Sequence, residues 1–220
     1  MKVSYPITQS LDFFDNPYEI IELSKSLEYS RPEQKNYPGL RSDSLSNINR
    51  LLFDYIAQKQ LRLFYDWRDV ENTSYAADMR FQKISSKDTI NGEGWIHQDL
   101  DTELTTVIYL NPNFFDGGTN IWKPKKEWYS LFTREELIEN DFFNGQGRDP
   151  NHYMSIWKNR QEKFNKVSSH NSVFNSCLYF DGNYWHSANL NVPENEDRLT
   201  LITFFKRINQ PNKAPLIRTL

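Results

Sequence analysis

The sequence predicts an all-β barrel or double-sheet roll that is supported by helices near the start of the chain. Two observations carry this prediction. First, short runs rich in β-branched and aromatic residues are broken by turns of Gly, Asn and Pro. Second, apolar residues before these runs recur with a helical period. The predicted strands span residues 61–68, 77–84, 95–100, 105–110, 173–180 and 199–206.

Two helices are predicted ahead of the strands. Asn16 and Pro17 are typical of a helix start, because Asn can cap the first turn and Pro suits it. The apolar face of this helix is formed by Ile20, Leu23 and Leu27. A second helix is expected from about residue 43. Its face is formed by Leu45, Ile48, Leu52 and Tyr55.

The organisation along the chain indicates a single domain over residues 1–220. Residues 1–60 form the helical support, residues 61–119 and 171–210 form the β core, and residues 120–170 form an insert. The insert has helix-start signals of its own, a capping box at Thr133 and Glu136 and the pair Asp149-Pro150. A segment of this length is usually functional or structured, and these signals favour an ordered wall over a mobile lid.

Composition excludes several classes of function. The chain has 26 basic and 29 acidic residues and a formal net charge of -3, which gives no electrostatic footprint for nucleic acid. Cys177 is the only cysteine, so an intramolecular disulfide framework is impossible. No apolar run is long enough for a membrane span. We expect a cytoplasmic protein without a nucleic-acid or membrane partner, and the oligomeric state stays open.

His97 and Asp99 are the first candidates for chemistry. On a strand, residues two apart point to the same face, so an imidazole and a carboxylate can meet on one metal. The tripeptide alone is a weak signal, since a polar strand end would look the same. His186 follows 89 residues later, after another predicted strand. Two His and one carboxylate form the facial triad of non-haem iron(II) oxygenases, which leaves coordination positions open.

Arg198 is the second candidate, twelve residues past His186 at the start of an apolar strand. Burying a guanidinium is costly unless an anion meets it, and a carboxylate can do so with two parallel hydrogen bonds. A strand-end Arg that points to solvent is the alternative.

With these residues in place, the chain resembles the prolyl-hydroxylase-like branch of the iron(II)- and 2-oxoglutarate-dependent oxygenases. The residues that carry the resemblance are His97-Gln98-Asp99, Thr105 to Asn111, Gly117-Gly118-Thr119, His186 and Arg198. It covers residues 79–207 without the insert. A weaker likeness to uncharacterised phage-type members rests on the opening helices and on residues 37–41.

The resemblance implies a mainly β fold with flanking helices around a double-stranded β-helix, the jelly-roll or cupin-like core. It implies that His97, Asp99 and His186 hold iron(II). It also implies that Arg198 binds the distal carboxylate of 2-oxoglutarate. Tyr109 matches a Tyr that hydrogen-bonds the same carboxylate in some members, although an interior core Tyr is an equal alternative.

Three departures limit the match. The spacing from His186 to Arg198 is longer than in some members, and the insert 120–170 is not part of the minimal pattern. No residue before His97 clearly matches the Tyr that some hydroxylases use at the other end of the co-substrate.

The reaction implied is hydroxylation of a protein side chain with O2, with release of succinate and CO2. Halogenation is disfavoured because halogenating relatives lack the carboxylate that Asp99 supplies. The alternatives are the same chemistry on a free amino acid or small metabolite, or a metal-binding jelly roll without catalysis.

Other polar and aromatic residues are interpreted as structural. We expect His152 and His170 at the surface rather than at a metal. For Trp95, Trp122 and Trp185, core packing is preferred to stacking on a substrate. Cys177 is expected to be a small buried apolar residue.

Overall fold

The structure is a computed structural model of the whole chain. It describes residues 4–31, 37–66, 73–88, 94–112, 117–125 and 150–209, and the following description concerns these residues.

Four α-helices are present among them. Helix α1 spans Pro17–Lys25, α2 Leu45–Ile48, α3 Arg50–Leu61 and α4 Pro150–Gln161. The start of α1 at Pro17 and that of α4 at Pro150 confirm the sequence predictions. The second predicted helix is divided into two at Asn49. This residue has an extended backbone, and its side chain accepts a hydrogen bond from the backbone N–H of Leu52 at 3.0 Å, so it caps α3.

The strands form two antiparallel sheets. Their bounds are β1 Thr8–Ser10, β2 Leu40–Arg41, β3 Ser74–Ser85, β4 Leu104–Tyr109, β5 Gly117–Pro124, β6 Phe164–Asn171, β7 Cys177–Asp181, β8 Trp185–Leu190 and β9 Asp197–Asn209. The major sheet has the order β1-β7-β4-β9-β3-β2, and the minor sheet has the order β6-β5-β8. This confirms the predicted mainly β fold with flanking helices around a double-stranded β-helix.

Four of the predicted strands lie within β3, β4, β7 and β9, although residues 173–176 precede β7. The strand predicted from residue 61 is wrong over the part that is described. Leu61 is the last residue of α3. Leu61, Phe64 and Tyr65 are buried three and four residues apart, which is the spacing of one helix face. The helical burial pattern therefore extends into residues whose sequence alternates like a strand. The strand predicted over 95–100 is also wrong, because this segment makes only an isolated bridge at His97. Strands β5, β6 and β8 were not predicted.

The segment 120–170 contains two strands of the minor sheet. Strands β5 and β6 pair antiparallel along their length, with Gly118 opposite Asn171 and Pro124 opposite Phe164. Of the described residues in this segment, Lys125 and residues 150–163 lie outside the sheet. The expected capping box at Thr133 and Glu136 is outside the described residues.

Side-chain alternation divides the major sheet into two faces. The outer face packs against α2, α3 and the turn that follows α3. Its core residues include Leu104, Ile108, Cys177, Leu201, Phe205, Phe53, Ile56 and Phe64. The inner face packs against the minor sheet. Its core residues are Val107, Tyr109, Ile121, Leu178, Phe180 and Ile202. The inner face is therefore the one that can surround a site between the sheets.

A third cluster covers the outer face of the minor sheet. Trp122, Ile96 and Phe164 are buried there, and Trp185 packs against them. Core packing is thus confirmed for Trp122 and Trp185. Among the helices that the structure describes, none is both long and apolar enough to span a membrane.

The thiol of Cys177 is expected to be unreactive in the folded protein. Cys177 is fully buried in the outer core, and burial raises the pKa of its thiol to about 12. At pH 8 the nucleophilic thiolate is therefore scarce as well as inaccessible. Titration with a chromogenic thiol reagent should detect no thiol in the native protein and one after denaturation. Rapid labelling of the native protein would show that this core opens readily.

Candidate functional site

The site begins with a short backbone bridge between His97 and His186. The N–H of His97 donates to the carbonyl of His186 at 2.9 Å, and the N–H of His186 donates to the carbonyl of His97 at 2.8 Å. His186 belongs to β8, whereas His97 lies in a segment without a longer ladder. Because the two residues are directly paired, their imidazoles lie side by side, with ring centroids 4.3 Å apart.

Asp99 completes a group of three potential metal ligands. Its carboxylate oxygens lie 3.7 Å from Nε2 of His97 and 3.4 Å from Nε2 of His186. One ligand atom from each residue lies within 4.8 Å of the others, and no other such group occurs among the described residues. Two imidazole nitrogens and a carboxylate on one side of a point leave the opposite side open, which is the donor set of a facial triad.

The imidazole rings are held in the tautomer that a metal needs. Nδ1 of His97 lies 2.8 Å from the carbonyl oxygen of Trp95, and Nδ1 of His186 lies 2.9 Å from that of Tyr184. A carbonyl oxygen only accepts hydrogen bonds, so each Nδ1 carries the proton. The lone pair of each Nε2 is then free for a cation.

The carboxylate of Asp99 is oriented by neighbours that sequence analysis did not assign. The hydroxyl of Thr105 donates to Oδ2 of Asp99 at 2.6 Å, and the N–H of Asp99 donates to the carbonyl of Gly182 at 2.8 Å. A Cβ at position 182 would collide with the carbonyl oxygen of Thr102, so only glycine permits this close approach. The turn between β7 and β8 thereby fixes the third ligand.

Electrostatics favour the metal-binding form of His97. Its pKa is lowered to about 4, chiefly by burial and next by the neighbouring His186, while Asp99 acts in the opposite direction. Its side chain is 44% exposed, and this exposed surface faces a cavity inside the protein. At neutral pH the imidazole is therefore uncharged and able to coordinate a cation.

The three residues line a cavity between the two sheets. Its empty volume is about 650 Å³, measured out to its mouth. Its wall carries the two imidazoles and three charged side chains, those of Asp99, Arg198 and Arg41. The cavity thus brings the ligand group and two arginines into one shared space.

Arg198 occupies this cavity rather than the solvent, so the solvent-facing alternative is wrong. It is 3% exposed, and Nη2 donates to the carbonyl of Gly118 at 3.2 Å. Its guanidinium carbon lies 5.4 Å from the ring centroid of Tyr109. Nε has no hydrogen-bond partner, and no described acidic residue pairs with the guanidinium. A buried cation without a counter-ion is costly, so the site fits an anion that the described residues do not supply.

Tyr109 lies beside Arg198 on the inner face of β4. It is 1% exposed, and its hydroxyl is 2.9 Å from that of Thr119 on β5. Burial raises the pKa of Tyr109, so the phenol stays protonated and can donate. Tyr109 is therefore an interior core residue that lies beside Arg198, and its contact with the co-substrate stays a prediction.

The structure also adds residues to the predicted set. Thr105 shares its strand face with Tyr109, and Thr119 directly follows the two glycines of β5, so strand alternation could have found both. Arg41 comes from β2, before the predicted barrel, and no local pattern places it in the cavity. Trp95 is 6% exposed and also lines the cavity. Trp95 therefore both packs in the protein interior and forms part of the cavity wall.

His170 lies apart from the ligand group. It is partly buried on β6, with Nε2 3.0 Å from the hydroxyl of Ser168. The side chain of His152 is outside the described residues.

Helix α4 contacts the ligand segment through Arg160. This residue is 3% exposed, and its Nε donates to the carbonyl of Ile96 at 2.8 Å. Its guanidinium carbon lies 4.9 Å from the ring centroid of Trp95. The described part of segment 125–163 is therefore packed against the residue that precedes His97.

The comparisons with known proteins agree with this architecture. A family model described as a family of unknown function, DUF6445, matches residues 5–205. The chain belongs to this family. No curated protein sequence matches the chain.

Solved structures share the fold of this DUF6445 protein at low sequence identity. One is HygX from Streptomyces hygroscopicus with nickel, 2-oxoglutarate and hygromycin B bound. It has a TM-score of 0.53 and 12% identity, and the match covers 91% of this chain and 82% of HygX. Another is a prolyl hydroxylase from Trichoplax adhaerens in complex with a peptide fragment of hypoxia inducible factor. It has a TM-score of 0.50 and 13% identity, with 90% and 82% covered. At these identities, the likeness establishes the shared fold.

The hydroxyl of Thr105 is expected to strengthen metal binding by orienting Asp99. Thr105→Val keeps the branched shape but removes the donor, so affinity for a divalent metal should fall by roughly tenfold. Thr105→Ser should bind almost as wild type. Titration of metal-free protein with Co²⁺, followed by its visible absorption, measures both.

Thr106→Val is the matched control. Thr106 is the next residue on β4, faces the outer core and contacts Gln60 at 2.7 Å, so its loss should affect stability but not metal affinity. Equal affinities for Thr105→Val and wild type would show that the hydroxyl does not position Asp99.

Proposed function

We propose that the protein is an iron(II)- and 2-oxoglutarate-dependent oxygenase that hydroxylates a protein side chain and releases succinate and CO2. One observation carries the proposal. A group of two His and one Asp shares a cavity with a buried arginine, Arg198, that has no acidic partner among the described residues.

Each residue has a role in this proposal. His97, Asp99 and His186 hold the metal through Nε2 of each ring and a carboxylate oxygen. Arg198 binds the distal carboxylate of 2-oxoglutarate with two charge-assisted hydrogen bonds, and the hydroxyl of Tyr109 donates a further one. Iron(II) with 2-oxoglutarate and O2 supplies the oxidation. The chain supplies orientation, a compensating positive charge and partial exclusion of water.

The spacing of the groups along the inner face supports this arrangement. Asp99 is tied to Thr105, and Tyr109 lies four residues further along β4, which is about 13 Å of strand. The long side chain of Arg198 can span part of the distance between Tyr109 and the metal group. A five-carbon dicarboxylate can therefore extend from the metal group toward Arg198.

The substrate class is the finer part of the proposal. The shared fold accepts both kinds of molecule, since the Trichoplax hydroxylase holds a peptide fragment and HygX holds hygromycin B. A protein side chain is our first candidate, through the prolyl-hydroxylase-like pattern of residues 97–119, and a free amino acid or small metabolite is the alternative. Incubation with peptide and metabolite pools, followed by mass spectrometry for the gain of one oxygen atom, distinguishes them.

Turnover of 2-oxoglutarate tests the activity itself. Protein loaded with Fe²⁺ should form succinate from 2-oxoglutarate and O2, slowly alone and faster with its substrate. His186→Ala should remove this activity because one of three ligands is lost. His170→Ala is the matched control, since His170 lies on the minor sheet outside the ligand group, and it should behave as wild type. Binding of metal and 2-oxoglutarate with no succinate in any pool would favour the non-catalytic metal-binding module.

Arg198 is expected to determine affinity for 2-oxoglutarate without affecting that for the metal. Arg198→Ala removes charge-assisted contacts and should weaken 2-oxoglutarate binding by about tenfold to a hundredfold. Arg198→Lys keeps the charge but not the planar guanidinium, so its affinity for 2-oxoglutarate should lie between those of wild type and Arg198→Ala. Tyr109→Phe should cost about 1 kcal/mol. Calorimetry with the Mn²⁺-loaded protein under anaerobic conditions measures all three.

Arg207→Ala serves as the control for charge. Arg207 is exposed on the same strand, β9, and its loss should leave 2-oxoglutarate affinity unchanged. Wild-type affinity in Arg198→Ala would instead assign Arg198 a structural role and leave the proposal without its anchor.

A further inference from the structure

Arg41 is a second arginine on the wall of the cavity, and the co-substrate site described above does not use it. It pairs with Gln82 across β2 and β3, and Gln82 pairs with Thr200 on β9. These residues share the inner face of the major sheet. Arg41 therefore enters the space between the sheets from the edge strand β2.

The surroundings of Arg41 hold the guanidinium but do not neutralise it. Its guanidinium carbon lies 3.8 Å from the ring centroid of Tyr37 and 5.3 Å from that of Phe204. Nε is buried without a hydrogen-bond partner. Asp99 and Asp78 act on it electrostatically, but no described acidic residue forms an ion pair with it. Aromatic stacking holds the group in place without supplying a hydrogen-bond acceptor for Nε.

The segment that carries Arg41 is itself fixed. The backbone N–H and carbonyl of Arg41 both pair with Ser30, and the side chain of Gln82 donates to the carbonyl of Pro38 at 2.7 Å. Gly39 has a φ of 74°, and a Cβ there would collide with the carbonyl oxygen of Lys83. The turn before Arg41 is thus built to lie close against β3.

The two arginines reach different ends of the cavity. Arg198 contacts Gly118, whereas the guanidinium of Arg41 contacts Phe204. Phe204 lies six residues from Arg198 on β9, about 20 Å of strand. It is also directly opposite Thr105, the residue that holds Asp99. Arg41 is therefore on the metal side of the cavity, away from the distal carboxylate of 2-oxoglutarate.

The sum of the formal charges in the cavity, with metal and 2-oxoglutarate bound, leaves one positive charge without a counter-ion. A divalent metal, the carboxylate of Asp99, the guanidinium of Arg198 and dianionic 2-oxoglutarate together sum to zero. Among the described residues, no ion pair then compensates Arg41 in this partly enclosed space. The missing charge is a single anion, and the place for it is beside the metal, where a substrate would be.

We propose that Arg41 is a specificity-determining residue that binds a carboxylate of the substrate next to the metal. This rests on the proposed function and narrows its substrate to acidic molecules, either an acidic side chain of a peptide or a free carboxylic acid. Arg41 positions the substrate by a charge-assisted contact, while Tyr37 and Phe204 keep the guanidinium in place.

The test compares matched charged and uncharged probes on protein loaded with Mn²⁺ and 2-oxoglutarate without O2. One pair is N-benzoylglycine and its amide, and the other is a blocked tripeptide with a central Asp and its Asn counterpart. Paramagnetic relaxation of the probe protons by Mn²⁺ reports binding close to the metal. The carboxylate member of at least one pair should bind about tenfold more tightly than its neutral partner.

Three variants separate the outcomes. Arg41→Gln should abolish the preference for the carboxylate, Arg41→Lys should keep part of it, and Arg207→Gln, an exposed control, should keep all of it. A carboxylate that binds no better than its neutral partner in both pairs overturns the inference. So does an Arg41→Gln variant that loses 2-oxoglutarate affinity, which would place Arg41 at the co-substrate. Neither result affects the proposed function, which depends on 2-oxoglutarate binding through Arg198 and on succinate formation.

Discussion

Alternation of side chains along the strands of the major sheet is the constraint on which the rest of the structure depends. On β4, Leu104, Thr106 and Ile108 face the helices, whereas Thr105, Val107 and Tyr109 face the minor sheet. A shift of one residue in register would exchange the two sets and bury the polar groups of the site against the helices. The apolar contacts with α2 and α3 that stabilise the fold therefore also determine which side chains reach the cavity.

Burial gives the cavity its chemical character. Removing a guanidinium from water costs several kcal/mol unless a partner compensates it, so a folded protein retains such a group only where something else offsets the cost. Arg198 is buried in this way, Arg41 is half-buried with a buried Nε that has no partner, and desolvation lowers the pKa of each. The low-dielectric surroundings that make them costly in isolation also strengthen their attraction for an anion. A cavity lined by such groups therefore favours anionic ligands.

Sequence reasoning brought together the residues whose signal is local or follows a known order. His97 and Asp99 share a face by their spacing, His186 follows a turn, and Arg198 opens an apolar strand; all four reach the cavity. The fold class was predictable for the same reason, since alternation and turn residues are local properties. Strand assignment was less successful where tertiary contacts decide it. Strands β5, β6 and β8 carry mixed polar and aromatic residues because one face of the minor sheet lines the cavity and the other packs on tryptophans.

Arg41 could not be assigned from sequence for a related reason. Its strand has two residues, Leu40–Arg41, too short for any periodicity, and its place in the cavity depends on pairing with β3 more than forty residues away. For Thr119 and Thr105, alternation along the strand predicts which face each side chain occupies. It does not predict that Thr119 contacts Tyr109 or that Thr105 contacts Asp99. The metal side of the site is thus encoded in compact motifs. Arg41, by contrast, reaches the same cavity from a distant segment of the chain.

The segment that supplies His97 and Asp99 shows how such an assembly is held. It forms no regular ladder, so its geometry depends on single contacts from several elements. Gly94 pairs with Ala188, Asp99 with Gly182, and the carbonyl of Ile96 accepts from Arg160 on α4. A free strand end would fray, whereas a segment fixed at residues 94, 96, 97 and 99 keeps both potential ligands directed at one point. Helix α4 therefore contributes to the geometry of the metal group, which favours a wall over a lid for the part of segment 125–163 that the structure describes.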